Sequence, residues 1–224
     1  MEFSKITFRF LSIYLTTTLL LISCGSDDTD SVTETIDPVT PQAQRTLIPD
    51  PAFEAALIEL NLDNELDGSV LSDNIDEVMD LILNEKGISD LTGIEGFTNL
   101  YNLWLNDNAI SEIDLSQNNM VKFIFIENNN LSEIQVSTMP NLEKLELSGN
   151  AISALDVSNN QQLQFLILDD NTITALDVSN NPELFTLEVR NNPLDCIKVS
   201  QSQLDNTPTN WVIDENDTLS LECN

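Results

Sequence analysis

The sequence predicts a repeat solenoid, an arc of short coils with a parallel β-sheet on its concave face. Three observations lead there. Residues 78–199 read as one unit repeated, with full copies opening at Leu100, Val121, Leu142, Leu163 and Leu184, a spacing of 21. Apolar residues recur at the same places in every copy, and one place is always asparagine. A fixed period of this length marks stacked supersecondary units that share a continuous core.

Each copy carries apolar residues at positions 1, 4, 6, 11, 14 and 16. Positions four and six alternate with a position facing the other way, which is a short strand pattern. The pairs are Leu103/Leu105, Ile124/Ile126, Leu145/Leu147, Leu166/Leu168 and Leu187/Val189, with Leu81/Leu83 as an earlier copy. No such strand can bury its own apolar face, so the copies are expected to stack as a parallel ladder at about 4.8 Å per coil.

The invariant asparagines are Asn108, Asn129, Asn150, Asn171 and Asn192. The chain must turn there, and inward backbone groups lose their strand partners. An amide side chain carries donors and an acceptor and can satisfy both kinds. An inward structural ladder is therefore expected, in preference to a row of exposed turn residues. A second apolar–polar–apolar segment follows in each copy: Ile113–Leu115, Ile134–Val136, Leu155–Val157, Leu176–Val178 and Ile197–Val199. It predicts a narrow second strand on the opposite wall. Ser116, Ser137, Ser158, Ser179 and Ser200 then lead into asparagine-rich turns, and the short connections leave no room for an ordinary helix.

These features resemble the leucine-rich repeat family, whose core L-x-x-L-x-L-x-x-N stands here as LYNLWLNDN, VKFIFIENN, LEKLELSGN, LQFLILDDN and LFTLEVRNN. The LDVSNN turns are similar to the short-repeat type found in surface proteins of Bacteroidota. The opening copy, ISDLTGIEGFTNL at residues 88–100, resembles the internalin style of repeat. It departs from the pattern at Lys86, where asparagine is expected; a lysine cannot accept an N–H bond, so the first coil should be frayed or adapted to a cap. The resemblance runs from about residue 48 to the end, and implies an N-terminal helical cap and a C-terminal cap closed by a disulfide.

Taken in order, residues 1–23 read as a signal peptide: Lys5 and Arg9 precede an apolar stretch too short to span a bilayer. Leu21-Ile22-Ser23-Cys24 resembles the bacterial lipobox, which implies lipidation of Cys24 and a membrane anchor of several acyl chains, palmitate among them. The alternative is an ordinary secretion signal ending in a lone cysteine. Ser26-Asp27-Asp28 resembles the acidic tag that favours export to the outer face of the outer membrane. An outer-membrane, exterior-facing location is expected ahead of a periplasm-facing one. Residues 24–46, rich in Asp, Thr, Pro and Gln, read as a disordered acidic tether.

Residues 47–77 read as the helical cap. Asp50 is the expected N-cap and Pro51 the first helical residue, with Phe53, Ala56, Leu57 and Leu60 on one buried face. The stretch IPDPAFEAALI resembles the start of many bacterial repeat domains. Asp63, Glu65 and Asp67 ahead of Gly68 resemble half an EF-hand loop, but the twelfth position is Asn74, so an acidic surface turn is preferred to a calcium site. Residues 78–200 are the repeats and 201–224 the C-terminal cap, where Trp211, Val212, Ile213, Leu219 and Leu221 supply apolar cover. Cys196 and Cys223 are the only cysteines beyond Cys24 and are expected to pair in an exported chain, the alternative being two buried thiols.

The formal net charge is −30, and loss of Glu2, Lys5 and Arg9 with the leader makes the remainder one unit more negative. Such a surface repels nucleic acid and anionic headgroups. The strand register maps the concave face. Ile82, Trp104, Phe125, Glu146, Ile167 and Glu188 point outward along its centre, with Phe123, Lys144 and Phe165 on one flank and Arg190 on the other. Aromatics clustered on an exposed sheet suggest a recognition surface, divided in two by Lys144 and Glu146. The alternative is sideways packing that merely stabilises the sheet. The chain has no histidine, which removes the usual neutral-pH base and the commonest metal ligand. The expected protein is thus a non-enzymatic, monomeric cell-surface module without a cofactor, binding a protein or glycan. An accessory substrate-capturing subunit of an uptake or degradation complex, or a structural surface lipoprotein, are the alternatives.

Overall fold

The apolar alternation folds into short strands that pair in register from coil to coil. The computed structural model describes residues 43–223. The signal segment, Cys24 and residues 24–42 of the expected tether lie outside the described residues.

In chain order the elements are β1 (Arg45–Leu47), α1 (Pro51–Glu59), β2 (Ser69–Leu71), α2 (Ser72–Ile75), β3 (Asp80–Ile82), β4 (Asn102–Trp104), β5 (Phe123–Phe125), β6 (Lys144–Glu146), β7 (Phe165–Ile167), β8 (Leu176–Asp177), β9 (Thr186–Glu188), β10 (Cys196–Lys198), α3 (Gln201–Asp205), β11 (Trp211–Val212) and β12 (Thr218–Ser220). A 3₁₀ turn covers Ile94–Gly96. A seven-stranded parallel sheet runs β11-β9-β7-β6-β5-β4-β3, in which Leu81, Leu103, Ile124, Leu145, Leu166 and Leu187 stand side by side. All six are fully buried.

The coils are stitched together by their asparagines. The Asn129 amide donates to Leu105 O at 2.9 Å and its oxygen accepts from Ile110 N at 3.0 Å. Asn150, Asn171 and Asn192 repeat this one coil further on, to Ile126, Leu147 and Leu168 carbonyls and from Leu131, Ile152 and Ile173 amides. Asn108 does the same with Leu83 and Ile88. The residue before each asparagine turns left-handed: Asp107, Asn128, Gly149, Asp170 and Asn191 all have positive φ. At Gly149 a Cβ would also come within 2.5 Å of Asn128 Oδ1, so this corner has no room for a side chain.

Lys86 resolves the first coil in favour of the cap. Its ammonium pairs with Glu59 of α1 at 2.5 Å, and its backbone N–H donates to Asn108 Oδ1. Asp50 caps α1 through Oδ1, which accepts from Ala52 and Phe53. Its Oδ2 reaches the first repeat, accepting from Ser89 N at 2.8 Å and Asp90 N at 2.9 Å. One carboxylate therefore fixes both the helix end and its docking.

Four features differ from the sequence reading. Arg45 and Thr46, placed in the tether, form β1, which pairs antiparallel with β2. Leu60 is 42% exposed because α1 ends at Glu59 and the chain turns there, while Phe53, Ala56 and Leu57 are buried. Among the described residues the second wall is laddered only in β8, β10 and β12. Residues 113–115, 134–136 and 155–157 turn their apolar side chains inward, Ile113 only partly, without forming strands. In the C-terminal cap Trp211, Ile213 and Leu219 pack on the core, but Val212 and Leu221 remain exposed. Cys196 and Cys223 form a disulfide at the last coil.

Two predictions follow from this packing. Asn171→Ala leaves the Leu147 carbonyl and the Ile152 amide without their side-chain partner and should cost about 3 kcal/mol in urea unfolding, against about 0.5 kcal/mol or less for exposed Asn159→Ala. Burial of Asp50 tends to raise its carboxyl pKa, but N–H bonds from Ser89, Asp90, Ala52 and Phe53 outweigh this and hold it below the ordinary value. Asp50→Ala should therefore cost about 2–3 kcal/mol at neutral pH. That deficit should persist down to about pH 4 and shrink as further acid protonates the wild-type carboxylate.

Candidate functional site

Alternation on β3, β4, β5, β6, β7 and β9 sends the middle residue of each strand inward and its two neighbours out to the concave face. Ile82 is 54% exposed at one end; Trp104, Phe123, Phe125, Phe165 and Ile167 are half-buried along it. In-register pairing brings Trp104 and Phe125 together as stacked rings, centroids 5.4 Å apart with planes at 4°. Ile82 is the register partner of Trp104 on the other side.

Lys144 joins the aromatic residues where the sequence reading had it dividing them. Its ammonium lies 5.0 Å from the Phe125 centroid and 5.5 Å from that of Phe165, and pairs with Glu146 at 2.7 Å. The cation can span both rings because β5, β6 and β7 are adjacent in the sheet. The band is also broader than expected. Tyr101 packs beside Phe123 at 6.1 Å, and exposed Phe185 meets Phe165 edge-on at 6.4 Å. Both follow a repeat-opening residue by one, where the repeat otherwise places polar Lys122, Glu143 and Gln164, so only the aromatic exceptions could have signalled them.

The far flank is a row of acceptors. Asn84 takes the Asn106 N–H, Asn106 that of Glu127, and Asp169 that of Arg190. Asp169 also receives the Arg190 guanidinium, at 3.0 Å from Nε and 2.5 Å from Nη2, and Glu188 lies 3.4 Å from the same group. Glu127 differs: its carboxylate has no hydrogen-bond or ion-pair partner among the described residues. Burial, then the nearby Glu146 and Asp107 charges, push its pKa up, and Lys144 only partly opposes them.

Every lysine and arginine among the described residues is ion-paired: Arg45 with Asp67, Lys86 with Glu59, Lys122 with Glu143, Lys144 with Glu146, Arg190 with Asp169, and Lys198 with Asp177. The excess charge of this surface consists of carboxylates alone.

Of the calcium candidates, Asp63 and Asp67 come together with Glu54, their oxygens within 4.8 Å of one another, while Glu65 stays apart. Two of the three already serve the cap, while Asp63 Oδ2 is buried without a hydrogen-bond partner. Glu54 Oε1 accepts from Asp67, Gly68 and Ser69 N–H groups, and Asp67 holds Arg45. Glu54, only 3% exposed, is a turn clamp that the sequence reading missed. A second inward amide column was missed as well. Asn118, Asn160 and Asn181, which the sequence reading places only in asparagine-rich turns, are wholly buried and donate to carbonyls of the preceding coil, and Gln203 ends the column. Met139 takes the corresponding place in the intervening coil, which hides the period.

Comparison with solved structures finds the same architecture. The functional domain of InlJ from Listeria monocytogenes is 27% identical with a TM-score of 0.62, over 71% of this chain and 39% of that one. This chain thus spans well under half the length of that relative. Internalin C2 of Listeria monocytogenes is 19% identical with a TM-score of 0.54, covering 80% of this chain and 99% of that one. A leucine-rich repeat protein of Leptospira interrogans is 24% identical with a TM-score of 0.50, covering 60% and 40%. No curated protein matches. Residues 69–181, half of the sequence, match the family model described as the leucine-rich repeat domain of the endo-beta-N-acetylglucosaminidase EndoS, and the chain belongs to that family of leucine-rich repeat domains.

Proposed function

We propose that this chain is a non-enzymatic recognition module that binds a protein through its concave face, held at the outer membrane by lipid on Cys24 and facing the cell exterior. The observation that carries the first part is the aromatic band built around Trp104 and Phe125. Apolar rings on an open sheet face are a costly choice for solubility and a common one for recognition. The leucine-rich repeat fold is typical of protein-binding surface modules, which supports the same reading. A protein is favoured over a glycan by how the rings are arranged. Sugar rings stack on open aromatic faces, but Phe125 has Trp104 stacked against it and Lys144 poised over it. What remains suits apolar side chains better than flat sugar faces. The lipid anchor is supported by the Leu21-Ile22-Ser23-Cys24 stretch at the end of the apolar leader.

Replacing both Trp104 and Phe125 with Ser should leave the circular dichroism spectrum unchanged and weaken capture of proteins from cell-surface extracts at least tenfold, the scale of a lost hot spot. A folded variant that binds as well as wild type removes the concave face from consideration. A glycan array that retains the wild-type protein, where protein capture fails, reverses the choice of ligand class. For the anchor, Cys24→Ser should abolish incorporation of labelled palmitate and release the protein from the membrane fraction. Labelling that persists in the variant refutes lipidation at this residue.

A further inference from the structure

We propose that Glu127 is the subsite for a basic side chain of the protein partner, a lysine or arginine next to an apolar residue that covers Trp104 and Phe125. This deepens the concave-face reading above and rests on it.

The row of position-seven side chains shows how this flank treats a carboxylate. Asp169 is answered by Arg190, the residue at the same place one coil later, with both guanidinium contacts at 3.0 Å or less. Glu127 is the other carboxylate in that row, and the residue one coil later is Ser148. The cation that completes the pattern for Asp169 is absent for Glu127. The other neighbour in the row, Asn106, is neutral and spends its oxygen on the Glu127 backbone N–H.

Nothing nearby substitutes for that cation. Lys144 is committed to Glu146 and to the rings of Phe125 and Phe165. Asp107 and Glu146 add negative charge, and with burial they raise the Glu127 pKa. An ionised carboxylate at this position is thus held against its surroundings, which an incoming ammonium or guanidinium would relieve. The residue stands two places beyond Phe125, just past the end of β5, so one partner segment can engage both. Charge complementarity selects the partner's sign. Every cation of the described surface is internally paired, so an anionic ligand finds no free positive charge.

A phage-displayed random dodecapeptide library selected on the full chain tests this directly. Enriched peptides should carry Lys or Arg beside an aromatic or branched apolar residue, and a synthetic copy should bind Glu127→Gln about tenfold more weakly than wild type. Ser148→Arg should weaken the same peptide comparably, by placing an internal guanidinium where Arg190 stands for Asp169. If both variants bind as wild type while Trp104→Ser does not, concave recognition stands and the Glu127 subsite is wrong. If Trp104→Ser also binds normally, the concave-face reading itself has failed. An unenriched library, or enriched peptides without a basic residue, likewise overturns the subsite.

Discussion

Each coil of this solenoid is held to the next by hydrogen bonds that a coil cannot make within itself. The strand ladder supplies the inner wall, but it stops where the chain turns, and there the backbone would face the core unpaired. The asparagine column removes that cost. An amide such as Asn129 gives its N–H to a carbonyl of the preceding coil and takes an N–H from the same coil. Burying such groups unpaired costs about 1–3 kcal/mol each, so the column and the apolar stack are mutually dependent. The leucines exclude the water that would otherwise satisfy the turn, and the asparagines make that exclusion tolerable. Placing the turn residue in the left-handed region, as at Asn128 and Gly149, aims the next side chain inward.

A stack held by contacts to neighbours is vulnerable at its two ends, and the ends are solved differently. At the N-terminal end buried carboxylates do the work. Asp50 joins α1 to the first repeat, Glu54 gathers the turn before β2, and Lys86 exchanges the missing asparagine for an ion pair with α1. At the C-terminal end a covalent bond between Cys196 and Cys223 closes the last coil, and the apolar cover over it is incomplete. A disulfide restricts the unfolded chain and does not require a large core, which suits a cap whose Val212 and Leu221 lie exposed.

The period, the strand positions, the asparagine ladder, the Asp50 cap and the cysteine pair were legible because each is a local pattern repeated or a residue type with few alternatives. What escaped depended on distances between coils. Whether the second wall forms a ladder depends on how neighbouring coils meet, which no single repeat encodes. The column at Asn118, Asn160 and Asn181 was hidden because Met139 breaks its period and because asparagine in a turn ordinarily faces water. Lys144 was read as a divider because the sequence gives its position on the strand and not the reach of its side chain. Its ammonium crosses to rings on both neighbouring strands.

Charge connects this architecture to recognition. A chain this acidic should repel copies of itself and most polyanions, yet its few cations are not spread over the surface as free charges. Each is bound to a carboxylate, and two sit over aromatic rings: Lys122 covers Tyr101 and Lys144 covers Phe125. Pairing of that kind adds little stability at an exposed site, so its main consequence is for what the surface presents. The concave face presents half-buried aromatic rings, an apolar end at Ile82 and an unanswered carboxylate at Glu127, with its positive charges already neutralised. On the recognition reading proposed above, a face so composed would discriminate by sign as well as by shape: an anionic partner would meet repulsion, and a basic, apolar segment both kinds of complementarity.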